Sequence, residues 1–268
     1  MTEVRGVPLV EIRRRFVHGA GRITTRLLRD LRDDPRAGAR SIAEELEARR
    51  RRASAERRRQ RRLFGMERGL GKLGVERIAG VDEVGMGPLA GPVVAAAVVL
   101  PAGARLDGLR DSKLLTPSAR ERLDREIRAC ARALGIGWVG PQEVDRVNVY
   151  QAGLLAMRRA IELLLEPPEI ALVDGRRIPG LALEQRAVIG GDRTVGSIAA
   201  ASVVAKVWRD RHMRELDLAY PGYGFAHNAG YGTAEHLRAL SGRGPSPAHR
   251  RSFAPVREAR NGRSGAEG

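Results

Sequence analysis

The sequence predicts an α/β body with a mixed sheet flanked by helices, preceded by a basic, mainly helical arm. Two observations predict the body. Short apolar runs of strand character alternate with segments of helical period, and the runs near residues 82, 174 and 192 each close on acids. A third predicts the arm: residues 1–74 hold 20 Arg and one Lys against 10 acids, a net +11 of the chain's +16.

In the arm, Leu9, Ile12 and Phe16 recur at helical spacing, followed by Ile23, Leu27 and Leu31, and then by Ile42 and Leu46. Asp33-Asp34-Pro35 marks a break. The stretch RRRRASAERRRQRR, residues 49–62, has no apolar face beyond two alanines. It is expected to be a solvated helix or connector that becomes a phosphate-backbone contact when nucleic acid is near. Residues 65–74 read as a linker. Their Gly69-Leu70-Gly71-Lys72-Leu73-Gly74 matches the GxGxxG pattern formally, but no strand precedes it and no helix follows. That context excludes a dinucleotide site.

In the body, a strand is expected over Glu76–Asp82, a glycine turn at Gly85 and Gly87, and a second strand over Val93–Leu100. A loop follows around Asp111-Ser112-Lys113. Thr116 caps the next helix, with Pro117 in its first turn. A strand at Ile136–Val139, a short turn or helix over Pro141–Val147 and a long helix over Asn148–Leu165 come next. Ile170–Asp174 and Arg186–Ile189 are strands, the second running into Gly190-Gly191-Asp192. A helix over Gly196–Ala219, the loop PGYGFAHNAGYGT, a helix over Ala234–Leu240 and a segment with Ser252-Phe253 complete it. The expected organisation is an arm and linker at 1–74, a body at 75–256 and a flexible tail at 257–268.

Composition narrows the function. The 43% apolar content fills a core, and the single cysteine, Cys130, excludes a disulfide framework. The N-terminal stretch lacks a secretory apolar region, and the longest apolar runs are too short to span a bilayer. A cytoplasmic monomer with no membrane partner is expected, and the charge favours a polyanion. Arg outnumbers Lys 45 to 3, so Lys113 and Lys206 stand out as positions wanting a compact point charge.

The acids carry the chemistry. In open α/β sheets, residues just past the strand ends gather in one crevice. Carboxylates converging there must take up protons or bind cations. Oxygen-only ligands suit Mg²⁺ or Mn²⁺, and two such ions clamp a phosphodiester. Asp82 and Glu83 are neighbours and would face opposite sides of a regular strand; for both to serve one site the backbone must bend or end there, which Gly80 and Gly85 permit. None of the five histidines forms a metal-ligand pair. Ser197 and Ser202 lie in a helix without a base partner.

Several blocks, in this order, resemble the bacterial type 2 ribonuclease H (ribonuclease HII) family: GVDEVGMGPLAGPVVAAAV, DSKLLTPSARERL, LVDG, GDRTVGSIAAASVVAKVWRD, YPGYGFAHNAGYGT and HRRSFAPV. They cover Glu76 to Val256. The arm, through RDDPRAGARSIAEEL, is similar to a helical extension of some members. The resemblance implies an RNase H-like fold and an endonuclease that cuts RNA–DNA hybrids. It also implies cleavage on the 5′ side of ribonucleotides embedded in duplex DNA, leaving 5′-phosphate and 3′-hydroxyl ends. By position, Asp82, Glu83 and Asp174 would be ligands to Mg²⁺ or Mn²⁺, and Asp192 would complete the acidic set. Gly85-Met86-Gly87 would sense the 2′-hydroxyl, Tyr231 would stack on the adjoining deoxyribose, and Ser112 with Lys113 would meet a phosphate. Two departures are visible. Met86 stands where the family usually has Arg, and Asn228-Ala229 stand where it has His-Lys. They motivate the alternative of a non-catalytic nucleic-acid binder with altered recognition at Met86.

Overall fold

In the computed structural model, which describes Val4 and residues 6–264 with side chains through residue 260, the apolar runs pair into one five-stranded sheet of order β3-β2-β1-β4-β5. The strands are β1 Ile78–Val84, β2 Val93–Val99, β3 Ala133–Val139, β4 Ile170–Asp174 and β5 Glu184–Val188. β1, β2 and β3 form an antiparallel meander, whereas β1, β4 and β5 run parallel. The sheet is therefore mixed, and the change of sense falls at β1.

Alternation along the strands sorts the core into two layers. Ala79, Val81, Ala95, Ala97, Ala171 and Val173 face helix α7 (Val149–Glu162), with Ala152, Ala156 and Met157 packed on them. The other face, with Val94, Ala96 and Val98, takes helix α9 (Gly196–Ala219) through Ala200, Val203, Val204 and Val207. Gly80 makes this second contact possible. A Cβ there would lie 2.0 Å from the Ser197 carbonyl carbon, so only glycine lets α9 approach β1 so closely.

Helix α5 (Pro117–Cys130) starts where expected, because Thr116 accepts a hydrogen bond from the Ala119 amide. Helices α6 (Pro141–Val147) and α7 share a boundary at Asn148, whose side chain caps α7 through the Gln151 amide. Helices α8 (Gly191–Thr194), α10 (Phe225–Asn228), α11 (Ala234–Arg243) and α12 (Ala254–Ser264) complete the body. The expected tail from residue 257 is thus helical through Ser264, anchored by fully buried Val256. The last four residues lie outside the described ones.

The expected linker also differs. The chain divides into units of residues 1–61 and 62–268, and Gly65–Gly71 is a helix, α4, with Leu70 buried. Glycine-rich composition concealed its task, which is tertiary. The residue preceding α9, Val195, offers no side-chain cap. Glu67 of α4 supplies one, accepting from the Ser197 amide at 2.7 Å and the Ser197 hydroxyl at 2.9 Å. Burial raises the Glu67 carboxyl against the pull of the Ser197 donors, so it is the acceptor rather than the charge that stabilises the helix start. Glu67→Ala is expected to lower stability by about 1–2 kcal/mol, read by urea unfolding. Glu67→Gln retains an acceptor and should lose less.

The arm is a folded unit in its own right. α1 (Leu9–Ile12) continues into a π-helical turn, Arg13–His18; α2 spans Thr25–Arg32, and α3 spans Ala39–Leu63. Ile12, Phe16, Leu27, Leu31, Ile42 and Leu46 are buried together. Two arginines have structural work in it. Arg49 donates to the carbonyls of Phe16, Val17 and Gly19 at 2.6–3.1 Å, satisfying groups that the end of the π-helical turn leaves open. Arg36 holds Val4 and Val7 through their carbonyls.

Candidate active site

Parallel strands β1 and β4 pair as far as Val81 opposite Val173, where β4 closes on Asp174. Asp82 and Asp174 each follow by one residue, at the switch point where α/β sheets form their crevice. Neither Asp82 nor Glu83 terminates a strand, because β1 continues to Val84. The bend is absent, and strand alternation holds. Asp82 turns to the α9 face, where Ser202 hydrogen-bonds to it. Glu83 turns to the α7 face, near Gly153 and Met86. Asp192 sits in the first turn of α8 rather than at a strand end. Asp174 Oδ1 accepts from the neighbouring Gly191 amide at 2.7 Å, which ties the end of β4 to α8.

The acids sense one another. Burial raises the Asp82 carboxyl well above the usual range, reinforced by Glu83, Asp174 and Asp192. Burial also raises Glu83, against the pull of Arg176. Asp192 is raised by burial and by Asp111 and Asp174, although Lys113 lies 4.0 Å away and Arg193 3.8 Å away. Among the described residues no three His, Cys, Asp or Glu side chains are close enough to form a ready-made metal cage. The set nevertheless fits a hard divalent cation. Its donors are all carboxylate oxygens, Glu83 Oε2 is buried with no hydrogen-bond partner, and Mg²⁺ is commonly held by one or two carboxylates with water and substrate phosphate.

Ser112 is buried, its hydroxyl bonded to that of Ser202 at 2.9 Å, which joins it to Asp82 through the contacts Ser112–Ser202–Asp82. Lys113, by contrast, has a side chain 78% exposed. Lys206 pairs with Asp210 at 2.6 Å, one helical turn along α9.

The glycine turn stands beside Tyr231. A Cβ on Gly87 would lie 3.6 Å from Tyr231 Cε1, and Tyr231 is 47% exposed. Gly85 adopts φ +90°, and a Cβ there would lie 2.4 Å from Arg209 Nε, so both conformation and space demand glycine. Met86 directs its side chain towards α7, where a Cβ on Gly153 would lie 3.0 Å from its sulfur.

Two arginines that the sequence did not single out as buried lie beneath this turn. Arg209 and Arg250 are both 0% exposed. Arg209 donates to the carbonyls of Pro92, Ala229 and Ala90. Arg250 donates to those of Gly91, Met86 and Gly85, the last at 2.6 Å. Burial pulls their guanidinium groups down to about 10 and about 9, respectively. One signal existed: Arg209 lies four residues from buried Ala205 and four from buried Met213, on the inward stripe of α9. An Arg-rich chain hid it.

Buried histidines fix the backbone of Tyr231. His236 Nδ1 lies 2.8 Å from the Tyr231 carbonyl, and the Nε2 atoms of His236 and His249 are 3.0 Å apart. The Ser246 amide donates to His249 Nδ1 at 3.0 Å. Only one arrangement of protons satisfies all three contacts: His249 donates to His236, which donates to Tyr231. Asn228 is likewise internal, accepting from the Gly230 amide and donating to the Tyr223 carbonyl.

Comparison with known proteins agrees with this geometry. The sequence model of the ribonuclease HII family matches residues 79–256. A ribonuclease HII from Myxococcus xanthus is 51% identical over 252 residues, covering 94% of this chain and 86% of that protein, so the likeness takes in most of the arm. A ribonuclease HII from Geobacillus kaustophilus is 53% identical over 228 residues, covering 85% and 87%. Among solved structures, ribonuclease H2 from Pyrococcus horikoshii superposes with a TM-score of 0.62 at 26% identity, covering 69% of this chain and 97% of that one. A body with the meander and parallel pair of an RNase H-like sheet, acids at its switch point and this extent of identity belongs to the ribonuclease HII family.

Proposed function

We propose that the chain cleaves the phosphodiester on the 5′ side of ribonucleotides, both in RNA–DNA hybrids and singly embedded in duplex DNA. Family membership makes it a ribonuclease H, an endonuclease of RNA–DNA hybrids. The finer reading rests on one observation above all: the acids Asp82, Asp174 and Asp192 interact at the switch point, next to a glycine turn packed on an exposed tyrosine. A pure binder gains nothing from converging negative charge beside phosphate, which argues against the non-catalytic alternative.

In this reading Asp82, Glu83 and Asp174 would hold Mg²⁺ or Mn²⁺, and Asp192 completes the acidic set. When bound, the ions would supply Lewis-acid charge at the scissile phosphate; water adds to phosphorus and the P–O3′ bond breaks, so that the ends are 5′-phosphate and 3′-hydroxyl. The chain's own groups do the rest. Ser202 orients the Asp82 carboxyl, and the Gly191 amide orients that of Asp174. The turn at Gly85–Gly87 meets the 2′-hydroxyl through its backbone, which suits a group that both donates and accepts. Tyr231 stacks on the adjoining deoxyribose, and exposed Lys113 meets a phosphate. Among the described residues no helix is long and apolar enough to cross a membrane, and we place the protein in the cytoplasm as a monomer. The test is incubation with Mg²⁺ or Mn²⁺ and duplexes holding zero, one or several ribonucleotides. Cutting 5′ to a single ribonucleotide supports the proposal; cutting of all-DNA duplex, or of nothing, rejects it.

The arm adds a phosphate contact of defined position. Between α2 and α3 a groove of about 460 Å³ is lined by Arg29, Arg32, Arg50 and Arg51, with Glu47 paired to Arg32. Replacing Arg29, Arg50 and Arg51 together by Gln should reduce the slope of log affinity against log salt by about 2–3, measured by fluorescence anisotropy on duplex. An unchanged slope would mean that these arginines are merely solvated.

A further inference from the structure

We infer that Arg250, acting with Arg209, is a positioning residue that aims the amides of the Gly85–Met86–Gly87 turn at the substrate, an inference that rests on the reading of this turn as the 2′-hydroxyl sensor. Arg250 grips the turn by its carbonyls, donating to Gly85 O at 2.6 Å and to Met86 O at 3.2 Å. In a planar trans peptide the next residue's N–H points opposite to the carbonyl. With both carbonyls drawn inward, the amides of Met86 and Gly87 are turned outward. Neither donates a hydrogen bond among the described residues, and Gly87 is exposed. They are two free donors held on one side of a rigid turn.

The grip extends to Tyr231. Arg209 donates to the Ala229 carbonyl at 2.9 Å and to Pro92 and Ala90 beside the turn. Leu89 sits between the two parts, its amide donating to Gly230 O and its carbonyl accepting from the Arg250 amide, each at 2.8 Å. The sensor turn and the stacking tyrosine therefore share one hydrogen-bonded frame. Either part shifting alone would break it.

Charge gives a reason for arginine in particular. Neither guanidinium pairs with a carboxylate among the described residues; every acceptor named above is a main-chain carbonyl. Burying a cation with only carbonyl partners is costly, and a neutral side chain could hold a turn more cheaply. The planar fork supplies several fixed donors at once. It also places positive charge under the surface where a phosphodiester must lie. Met86 cannot provide it, since its side chain is apolar and packed towards Gly153.

The test is the ratio of affinities for a duplex with one ribonucleotide and the same duplex in all-DNA form, measured without divalent ions so that nothing is cut. Wild type should prefer the ribonucleotide. Arg250→Lys should lower that ratio by about tenfold, the equivalent of one or two hydrogen bonds, with affinity for all-DNA duplex changed less than about twofold. Phe253→Leu removes the ring 5.3 Å from the Arg250 guanidinium without removing the arginine, and should lower the ratio by a smaller factor even if Arg250→Lys fails to fold. Exposed Arg251→Ala controls for loss of charge nearby and should leave the ratio unchanged. A folded Arg250→Lys or Phe253→Leu with the wild-type ratio overturns the inference. An equal drop in Arg251→Ala also overturns it, because general charge would then be the cause. A wild-type ratio of one rejects the reading of the turn itself, and this inference with it.

Discussion

Asp82→Asn is expected to abolish cleavage, by about 10³-fold or more, while duplex binding persists and the fold becomes no less stable. The two halves of this outcome have one cause. Asp82 is 6% exposed and its carboxyl is raised by burial and by Glu83, Asp174 and Asp192. Because the folded pKa is raised, ionisation at neutral pH works against folding, and the strain is relieved as the pH falls. Asparagine removes that charge and keeps an acceptor for Ser202. A chelated preparation of the variant should therefore melt at or above the wild-type temperature, as expected where function stores destabilising charge. Single-turnover cleavage, anisotropy binding and thermal melting on one preparation decide the matter. Full activity would remove Asp82 from the reaction; a large loss of stability would contradict the electrostatic account.

The stability contributed by the histidine pair is expected to be lost between about pH 6.5 and pH 4. Burial lowers His249 from 6.5 to about 4, with His236 adding to the effect, and lowers His236 as well. Both rings are neutral in the proton arrangement that links Ser246 to Tyr231. The unfolded chain takes up a proton near pH 6.5 and the folded one does not. Stability due to these rings is therefore full above pH 6.5 and declines as the pH falls through that window. For His249 alone the loss is on the order of 3 kcal/mol at pH 4. The raised acids act in the opposite sense, so total stability is not the discriminating quantity. The decisive measurement is the pH dependence of urea unfolding in wild type against His249→Gln, which should flatten over this window. Equal slopes would show that the pair does not titrate as argued.

The elements of the body were legible because their signals are local. Strand β4 and helix α9 have the bounds that periodicity and flanking breakers indicated, and Thr116 caps α5 through its own side chain. What failed was non-local. Nothing near Gly65–Gly71 marks it as a helix capping α9, since Ser197, the residue it serves, lies 130 positions away. The contact between the Ser112 and Ser202 hydroxyls, 90 positions apart, has no local signal either. The bend that Gly80 and Gly85 permit is absent because β2 continues to pair with Glu83 and Val84.

The sequence by itself determined the chemistry available: strands running into acids, oxygen donors without Cys or His, a glycine turn and a tyrosine in a glycine-rich loop. These depend on residue type and short spacing, which a chain states directly. Only the tertiary structure decided how they are aimed. It set Asp82 and Glu83 on opposite faces of one strand, and it buried Arg209 and Arg250 with main-chain carbonyls as their hydrogen-bond acceptors. The physical reason is that orientation depends on hydrogen bonds closed over 100 residues or more, as between Arg250 and Gly85, 165 positions apart. No local pattern encodes such a bond, and among so many arginines none announces which one is buried.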